Sequence, residues 1–564
     1  MQITSKLLLV TALLAAAFAP GVHAGKQTVC TVTVNSSDEK EAFRRSLPAD
    51  KFQFVELIEP GRSDWLASAC RRGIRCDVLV ISGHHDGESG FFSDRVENDE
   101  YLSPDMMERA SCSDSCPGVF ANLKEVYMFG CNTLNPEPVR TATGEVVRSL
   151  IRSGQSRVEA ERFARKLSER HGDSTRERMR LIFRNVPAIY GFASVAPLGP
   201  TASSLLNRYF RAGGNAEVAN GRASSRLVAS FSGHSLSVVH GLTDRDPQAA
   251  YRRDVCQFFD ERLSAAQKLA FIHDLLHREM GEVRMFLDRI DSYSASLTES
   301  ERSTPEVARV LQGIATDTSA RTRFLEFARD ADLPVTRARM IDVAARLGWL
   351  DPEQRREELV AMIRDQLARN AVSPAEVALV CSINRARELD GARATLQPIA
   401  RPELASHAAV MACLGDPAAH ARVLLALTSG SESDAQIAEA YVHQRPLAST
   451  DEVRTIVAAV AQLASRPLQV RALDMLARQH LSDRTSLDRL TQLFAATDSS
   501  AVQNAIAGIL VRADYASIAR PEIVQALRQH RLKSSGGESM VDVLLRHLQP
   551  RESMAQLRAG STAH

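Results

Sequence analysis

Short apolar runs alternate with amphipathic stretches over the first 245 residues of this 564-residue chain. Runs of β-branched and aromatic residues bounded by glycine are typical of buried strands, and the stretches between them have helical spacing and helix-cap residues. The pattern predicts strands at 28–34, 52–58, 78–81, 126–129 and 187–192. Helices are predicted at 37–47, 63–73 and 104–110. Such alternation favours right-handed βαβ crossovers and an α/β domain with a parallel sheet covered by helices on both faces.

The strand pattern disappears after Asp246, and the rest of the chain has helical spacing only. Residues 246–304 are predicted to be connecting helices, and residues 305–564 to form short helices separated by proline-containing turns. The segment 341–346 is similar to 473–478 at a separation of 132 residues, close to four times 33. Paired helices at such a spacing indicate an all-α, solenoid-like domain of HEAT-like repeats, which would offer a surface to a protein partner. An irregular helical domain without repeats is the alternative.

Residues 1–24 have the pattern of a secretory signal peptide. Lys6 precedes an apolar stretch at 7–17, and small residues before Gly25 predict cleavage after Ala24. The apolar stretch is too short to span a bilayer, and no later segment approaches the length that a membrane helix needs. We therefore expect an exported protein, periplasmic or secreted, with no membrane span in the mature chain.

The charge balance bears on the class of partner. The chain has 69 Lys plus Arg against 68 Asp plus Glu, a formal net charge of +1. Nothing in this balance favours nucleic acid or an anionic membrane as the partner. A protein or peptide is the expected substrate or partner.

Nine cysteines in an exported chain predict disulfides, and the odd number leaves at least one thiol unpaired. Cys131 is the candidate, since it follows a strand where a nucleophile would be useful. Cys30 and Cys76 are an expected pair because both lie near the starts of strands predicted to be adjacent. Cys112 and Cys116 lack two further ligands nearby for zinc, so a local disulfide or two separate pairings are expected. No metal or other cofactor is predicted.

Two predicted strands end in reactive side chains. The strand at 78–81 runs into the adjacent histidines His84 and His85, and the strand at 126–129 runs into Gly130 and Cys131. Open α/β sheets place their ligands beyond the carboxyl ends of the strands, so imidazole and thiol are expected to share one crevice. A thiol needs a nearby base to act as a nucleophile at neutral pH, and this pairing therefore predicts covalent catalysis.

The order and spacing of these motifs resemble the caspase-like cysteine peptidases of clan CD, and among them the bacterial CHAT type. The motifs are Ser82-Gly83-His84, Tyr127-Met128-Phe129-Gly130-Cys131-Asn132 and, more weakly, Tyr190-Gly191-Phe192. The resemblance covers residues 25–245 and implies a caspase-like, three-layer α/β/α fold. It also implies a Cys-His dyad that hydrolyses peptide bonds through a thioester. The insertion at 140–184, with eleven arginines and a helical pattern, lies where such peptidases often carry a processing linker.

The resemblance leaves the identity of the base open between two histidines. Aligning Ser82-Gly83-His84 makes His84 the base and places His85 where the family has glycine, whereas aligning on the following glycine favours His85; we prefer His84. The implied oxyanion donors are the backbone amides of Asp86, Gly87 and Cys131. His234 and His240, on a late strand, are a further possible source of a base.

The sequence thus predicts an exported cysteine endopeptidase with a helical repeat domain for docking a substrate or partner. The alternative is an exported interaction scaffold whose caspase-like domain has lost activity, and His85 in place of glycine is its main support.

Overall fold

The computed structural model describes residues 25–87, 90–93, 100–137, 143–152, 154–171, 174–447, 449–477, 481–532 and 539–548. The predicted signal peptide lies outside these residues. The chain forms two compact units that divide between Asp330 and Ala331. The helices that follow Asp246, up to Arg329, therefore belong to the first unit.

The first unit is built on a six-stranded sheet and a two-stranded hairpin. The strands are β1 (Gln27–Thr33), β2 (Phe52–Glu56), β3 (Val78–Ser82), β4 (His84–His85), β5 (Phe91–Phe92), β6 (Glu125–Phe129), β7 (Ala188–Phe192) and β8 (Leu236–Val239). The sheet order is β2-β1-β3-β6-β7-β8, and β4 pairs with β5. The five strands predicted from the sequence are all present.

The sheet is mixed, because β8 runs antiparallel to β7 while the other neighbouring strands are parallel. The prediction of a parallel sheet therefore holds for five strands and is wrong for the sixth. Leu236, at the start of β8, pairs with Phe192 at the end of β7. The connection between β7 and β8 returns the chain to the edge where β7 ended, so β8 must run in the opposite direction.

Helices surround the sheet of the first unit. They are α1 (Asp38–Ser46), α2 (Trp65–Arg71), α3 (Pro104–Cys112), α4 (Pro117–Phe120), α5 (Thr143–Arg152), α6 (Arg157–His171), α7 (Thr175–Ile182), α8 (Gly199–Arg211), α9 (Ser225–Ser230), α10 (Ala249–Phe259), α11 (Ala265–Leu276), α12 (Met280–Ser296), α13 (Glu299–Arg302), α14 (Pro305–Thr316) and α15 (Thr318–Arg329). The insertion between β6 and β7 forms α5, α6 and α7, which accords with its helical pattern.

Each face of the sheet has its own core, because successive side chains along a strand point to opposite faces. Leu79 of β3 packs with Trp65 and Met107 in what we call the α3-side core. Val80, its neighbour in β3, packs with Phe43 and Leu206 in the α1-side core. Both cores are closed to solvent, which explains why the strands read as uninterrupted apolar runs.

Four disulfides use eight of the nine cysteines. They are Cys30–Cys76, Cys70–Cys116, Cys112–Cys256 and Cys381–Cys413. The expected pair Cys30–Cys76 is confirmed, and Cys112 and Cys116 pair separately. All nine cysteines lie in the described residues, and Cys131 alone is free. Such bridges are typical of proteins that mature in an oxidising compartment.

The second unit is helical. Its helices are α16 (Pro334–Arg346), α17 (Pro352–Leu367), α18 (Pro374–Ile383), α19 (Arg393–Leu396), α20 (Ala405–Cys413), α21 (Pro417–Ala426), α22 (Glu432–Gln444), α23 (Thr450–Val460), α24 (Arg466–Leu476), α25 (Arg484–Ala496), α26 (Ser500–Leu510), α27 (Tyr515–Ile518), α28 (Pro521–Gln529) and α29 (Met540–His547). Between α18 and α26, alternate helices pack together: α18, α20, α22, α24 and α26 form one row, and α21, α23 and α25 form another. None of the helices in the described residues combines the length and the apolar character that crossing a membrane requires.

The buried carboxyl group of Glu39, on α1, leads to a testable prediction about stability. Its burial raises its pKa from 4.5 to about 7, although a hydrogen bond with Ser82 opposes this. The folded state thus holds the proton more tightly than the unfolded chain. The free energy of unfolding should therefore fall by at most about 3 kcal/mol as the pH rises from 4.5 through 7. Glu39→Gln should lack this loss, measured by urea unfolding at pH 5 and pH 8.

Glu41→Gln is the matched control on the same helix, because the Glu41 side chain is 40% exposed. It should retain the pH dependence of the wild-type protein. Equal loss of stability in wild type and Glu39→Gln would contradict the prediction.

Candidate active site

The structure brings the two predicted motifs to one edge of the sheet. Strands β3 and β6 are neighbours, and Ser82 pairs with Phe129 at their carboxyl ends. The pairing continues one step further, since the N–H of Gly83 donates to the carbonyl oxygen of Phe129 at 3.1 Å. His84 and Cys131 follow this last pair on adjacent strands. The two motifs therefore lie at the same edge of the sheet, because β3 and β6 are parallel neighbours.

The Cys131 thiol is half-buried and lies toward the α1-side core. Its Sγ accepts a hydrogen bond from the N–H of Ala196 at 3.3 Å, and Ala196 packs against that core. The segment that supplies this donor also carries Val195 and Leu198, each 70% exposed. Cys131 therefore keeps part of its surface in solvent, beside a segment with exposed apolar side chains.

The turn after Cys131 is fixed by hydrogen bonds to the end of β7. Asn132 has a positive φ of 58°, and its N–H donates to the carbonyl oxygen of Ser194 at 2.7 Å. The buried Thr133 hydroxyl donates to the carbonyl oxygen of Gly130 at 3.1 Å and accepts from the N–H of Phe192 at 2.9 Å. These contacts hold the backbone that presents the thiol.

His85 contacts the backbone of the Cys131 loop rather than its sulfur. The side chain is 3% exposed and packs on Phe91 in the α3-side core, with ring centroids 4.8 Å apart. Its Nδ1 lies 3.0 Å from the carbonyl oxygen of Cys131 and 3.0 Å from the amide nitrogen of Gly87. Burial lowers the pKa of His85, although the contact with Cys131 opposes this. The ring is thus a neutral link between the two loops.

Only one of the two contacts of His85 Nδ1 can be a hydrogen bond in a given tautomer. With the proton on Nδ1, the ring donates to the Cys131 carbonyl. With the proton on Nε2, Nδ1 accepts from Gly87, but the buried Nε2 then has a proton without an acceptor among the described residues. Because a buried donor without a partner is costly, the first tautomer is favoured.

His84 points away from His85, since adjacent residues of a strand face opposite sides. His84 is half-buried, and its ring lies 5.7 Å from the ring of Phe92 across the hairpin. Because His85 occupies the α3-side core, His84 is directed away from that core. The structure therefore distinguishes the two candidate bases, because their side chains point to opposite faces of the hairpin. The sequence alone does not distinguish two adjacent histidines.

The three predicted oxyanion amides differ in their surroundings. The N–H of Gly87 is directed at His85 Nδ1, and its carbonyl oxygen accepts from the Thr175 hydroxyl at 2.5 Å. Gly87 has a positive φ of 92°, a conformation that glycine adopts without strain. Asp86 is exposed. The N–H of Cys131 has no acceptor among the described residues, so it is available to a developing negative charge.

The two late histidines are separated by the direction of β8. His234 precedes β8 at the same edge as Cys131, but β7 lies between β8 and β6. His240 follows Val239, which pairs with Ile189 near the start of β7, so it lies at the opposite edge. His84, by contrast, follows β3, which is the direct neighbour of β6 and ends at the same edge.

A cavity of about 620 Å³ opens beside Gly87 and was not anticipated from the sequence. Its lining includes Arg178, Lys268 and Arg289, with Tyr251 and Tyr293. Its walls come partly from α10, α11 and α12, which the sequence indicated only as connecting helices. The basic and aromatic residues that line the cavity come from separate helices and form no local sequence motif, so the sequence did not predict the cavity.

Comparison with protein families, with curated proteins and with solved structures finds no match to this chain. The residues and geometry of the site must therefore carry any functional assignment. What they can do chemically is nucleophilic attack by a free thiol on a half-buried cysteine, with a histidine following the neighbouring strand and the backbone amide of Cys131 as a possible donor.

Selective alkylation tests the cysteine assignment. Native, oxidised protein treated with iodoacetamide should gain a single adduct, at Cys131, because the other cysteines are bridged. Intact-mass and non-reducing peptide analysis would locate it, and Cys131→Ala should gain none. An adduct at any bridged position would contradict the assignment.

Gly130→Ala tests the packing of the two loops. A β-carbon at this position would lie 2.8 Å from the His85 β-carbon and 3.0 Å from the Gly83 carbonyl oxygen. Because backbone must move to admit it, the variant should lose about 1–3 kcal/mol of unfolding free energy, measured with denaturant. Gly233→Ala is the control, since nothing lies within 4 Å of its added carbon, and its stability should change by less than about 0.5 kcal/mol. Equal stabilities for the two variants would refute the contact.

Proposed function

We propose that this protein is an exported cysteine endopeptidase that hydrolyses peptide bonds through a dyad of Cys131 and His84. The observation that carries the proposal is the free, half-buried cysteine after β6, with His84 following the neighbouring strand β3 and directed away from the α3-side core. The other eight cysteines are bridged, so the one thiol left is the one at a strand end beside a histidine. A thiol and an imidazole so placed are the components of nucleophilic acyl transfer.

The two adjacent histidines have different roles in this proposal. His84 is the base, because it is directed away from the α3-side core and is only half-buried. His85 is a positioning residue, because its Nδ1 contacts the carbonyl oxygen of Cys131 and burial lowers its pKa. The β-carbon of His85 packs against Gly130, which has no side chain, on the face away from the sulfur. A histidine in place of the family's glycine is therefore compatible with an open approach to the thiol.

The mechanism follows from these positions. His84 takes the proton of the Cys131 thiol, and the resulting thiolate, whose sulfur is held by the N–H of Ala196 before the attack, adds to the carbonyl carbon of the scissile peptide bond. The N–H of Cys131 donates to the oxyanion, with the Asp86 amide as the second donor. His84 gives its proton to the departing amine. Water then hydrolyses the thioester, with His84 accepting its proton.

The fold supports the resemblance to caspase-like peptidases over residues 25–245. Five parallel strands with a separate core on each face are what a three-layer α/β/α domain requires. The four disulfides support maturation in an oxidising compartment, the periplasm or the exterior of the cell.

Recurring contacts in the second unit support HEAT-like repeats within residues 305–564. Helices α22, α24 and α26 have serine at the N-cap position, Ser431, Ser465 and Ser499, spaced by 34 residues. Buried Gln469 and Gln503 occupy equivalent positions, and each donates to a carbonyl oxygen nine residues earlier, at 3.2 and 3.1 Å. We propose that these stacked helices dock a substrate or a protein partner.

Matched substitutions at the adjacent histidines test the dyad. His84→Asn removes the base, so kcat/KM on fluorescently labelled casein should fall by about 1,000-fold or more, as in Cys131→Ala. His85→Asn keeps an amide N–H near the position of Nδ1, so the loss should stay within about tenfold. The pH dependence of Cys131 alkylation should change in His84→Asn and remain as in the wild type in His85→Asn.

The reverse ranking of the two asparagine variants would replace His84 by His85 as the base. Absence of hydrolysis by the wild-type protein, together with alkylation of Cys131 that is unaffected by His84→Asn, would overturn the peptidase proposal in favour of a non-catalytic scaffold. His234→Asn is the control, with unchanged activity expected.

A further inference from the structure

Three side chains with metal-binding atoms converge where α11 ends and α15 begins. His273 lies in the last turn of α11 and His277 follows that helix by one residue, so their spacing of four puts them on one face. Their ring centroids are 4.9 Å apart. Asp317 caps the amino terminus of α15. The proposed peptidase chemistry uses none of these residues.

The distances within this group are close to those of a zinc coordination sphere. Oδ2 of Asp317 lies 3.1 Å from Nε2 of His273 and 3.0 Å from Nε2 of His277. One ligand atom from each residue lies within 4.8 Å of the others. Ligand atoms at about 2.0–2.1 Å from a tetrahedral zinc ion are separated from one another by about 3.3 Å. Small side-chain shifts would therefore admit the ion.

The carboxylate is already oriented for this role by its other oxygen. Oδ1 of Asp317 accepts from the N–H of Ala320 at 2.9 Å as a helix cap, which leaves Oδ2 facing the histidines. On α15, Arg323 donates to the carbonyl oxygen of Leu276 at 3.2 Å, at the end of α11. A hydrogen bond to the second oxygen of a ligating carboxylate is the kind of support that metal sites use.

We propose that His273, His277 and Asp317 bind a divalent transition-metal ion, with zinc as the fitting ion. Two imidazoles and one carboxylate suit zinc and other first-row ions better than calcium or magnesium. The exposed fractions of the side chains are 27% for His273, 51% for His277 and 15% for Asp317. One side of the group is open to water, which supplies the remaining ligand. The ion would link α11 to α15 within the first unit.

Zinc titration of metal-free protein tests this inference. The protein carries Cys131→Ala, so that the free thiol adds no ligand, has no histidine tag, and is stripped with chelator and dialysed. Calorimetry should show one zinc ion bound per chain. His277→Asn and His273→Asn should each weaken binding by at least about 100-fold. Co²⁺ should give visible d–d absorption bands with the parent protein and lose them in either variant.

Asp317→Asn distinguishes metal binding from a structural role, because asparagine keeps the helix cap but is a poor zinc ligand. It should fold as the parent does, by circular dichroism, and bind zinc at least about tenfold more weakly. His240→Asn, an exposed histidine at the far edge of the sheet, should bind zinc as the parent does. Undiminished binding in His277→Asn, or no saturable binding by the parent, would overturn the proposal. The exposure of His277 makes misfolding an inadequate explanation for its effect.

Discussion

The parallel pairing of β3 with β6 is the constraint on which the candidate site depends. It places Ser82 beside Phe129, and the candidate catalytic residues His84 and Cys131 each come two positions later in the chain. If the register moved by one residue, the alternation of the strands would carry the thiol to the α3-side core and away from Ala196. Both cores resist such a slip, because Tyr127 and Phe129 of β6 would exchange faces with Val126 and Met128.

The same alternation of side chains gives the adjacent residues His84 and His85 different surroundings and different proposed roles. His85 is directed into the α3-side core, where burial keeps its ring neutral and its Nδ1 meets the backbone of the opposite loop. His84 stays at the rim and keeps access to solvent. Thr133 and Thr175 then hold the same two loops from their other sides, at Gly130 and Gly87. The backbone of both loops is thus fixed by groups other than the Cys131 sulfur and the His84 ring.

What the sequence could predict depends on whether the signal is local. The apolar runs at 78–81 and 126–129 gave both strands and their shared edge, because a buried parallel strand leaves an uninterrupted apolar segment. The face of each histidine depends on the hairpin with Phe91 and Phe92, whose two short strands have no such signal. The direction of β8 depends on how a long connection returns the chain. Asp317 contacts His273 only because two helices pack together, so no sequence spacing predicts this cluster.

The bridge between Cys112 and Cys256 spans 144 residues and joins α3 to α10. The arginine-rich helices between β6 and β7, together with the loop that carries Cys131, lie inside the ring that it closes. A break in any peptide bond of that ring would leave one covalent molecule until the bridge is reduced. Proteolytic nicking of the insertion would therefore escape notice on a non-reducing gel, and the severed halves would stay tethered beside the thiol.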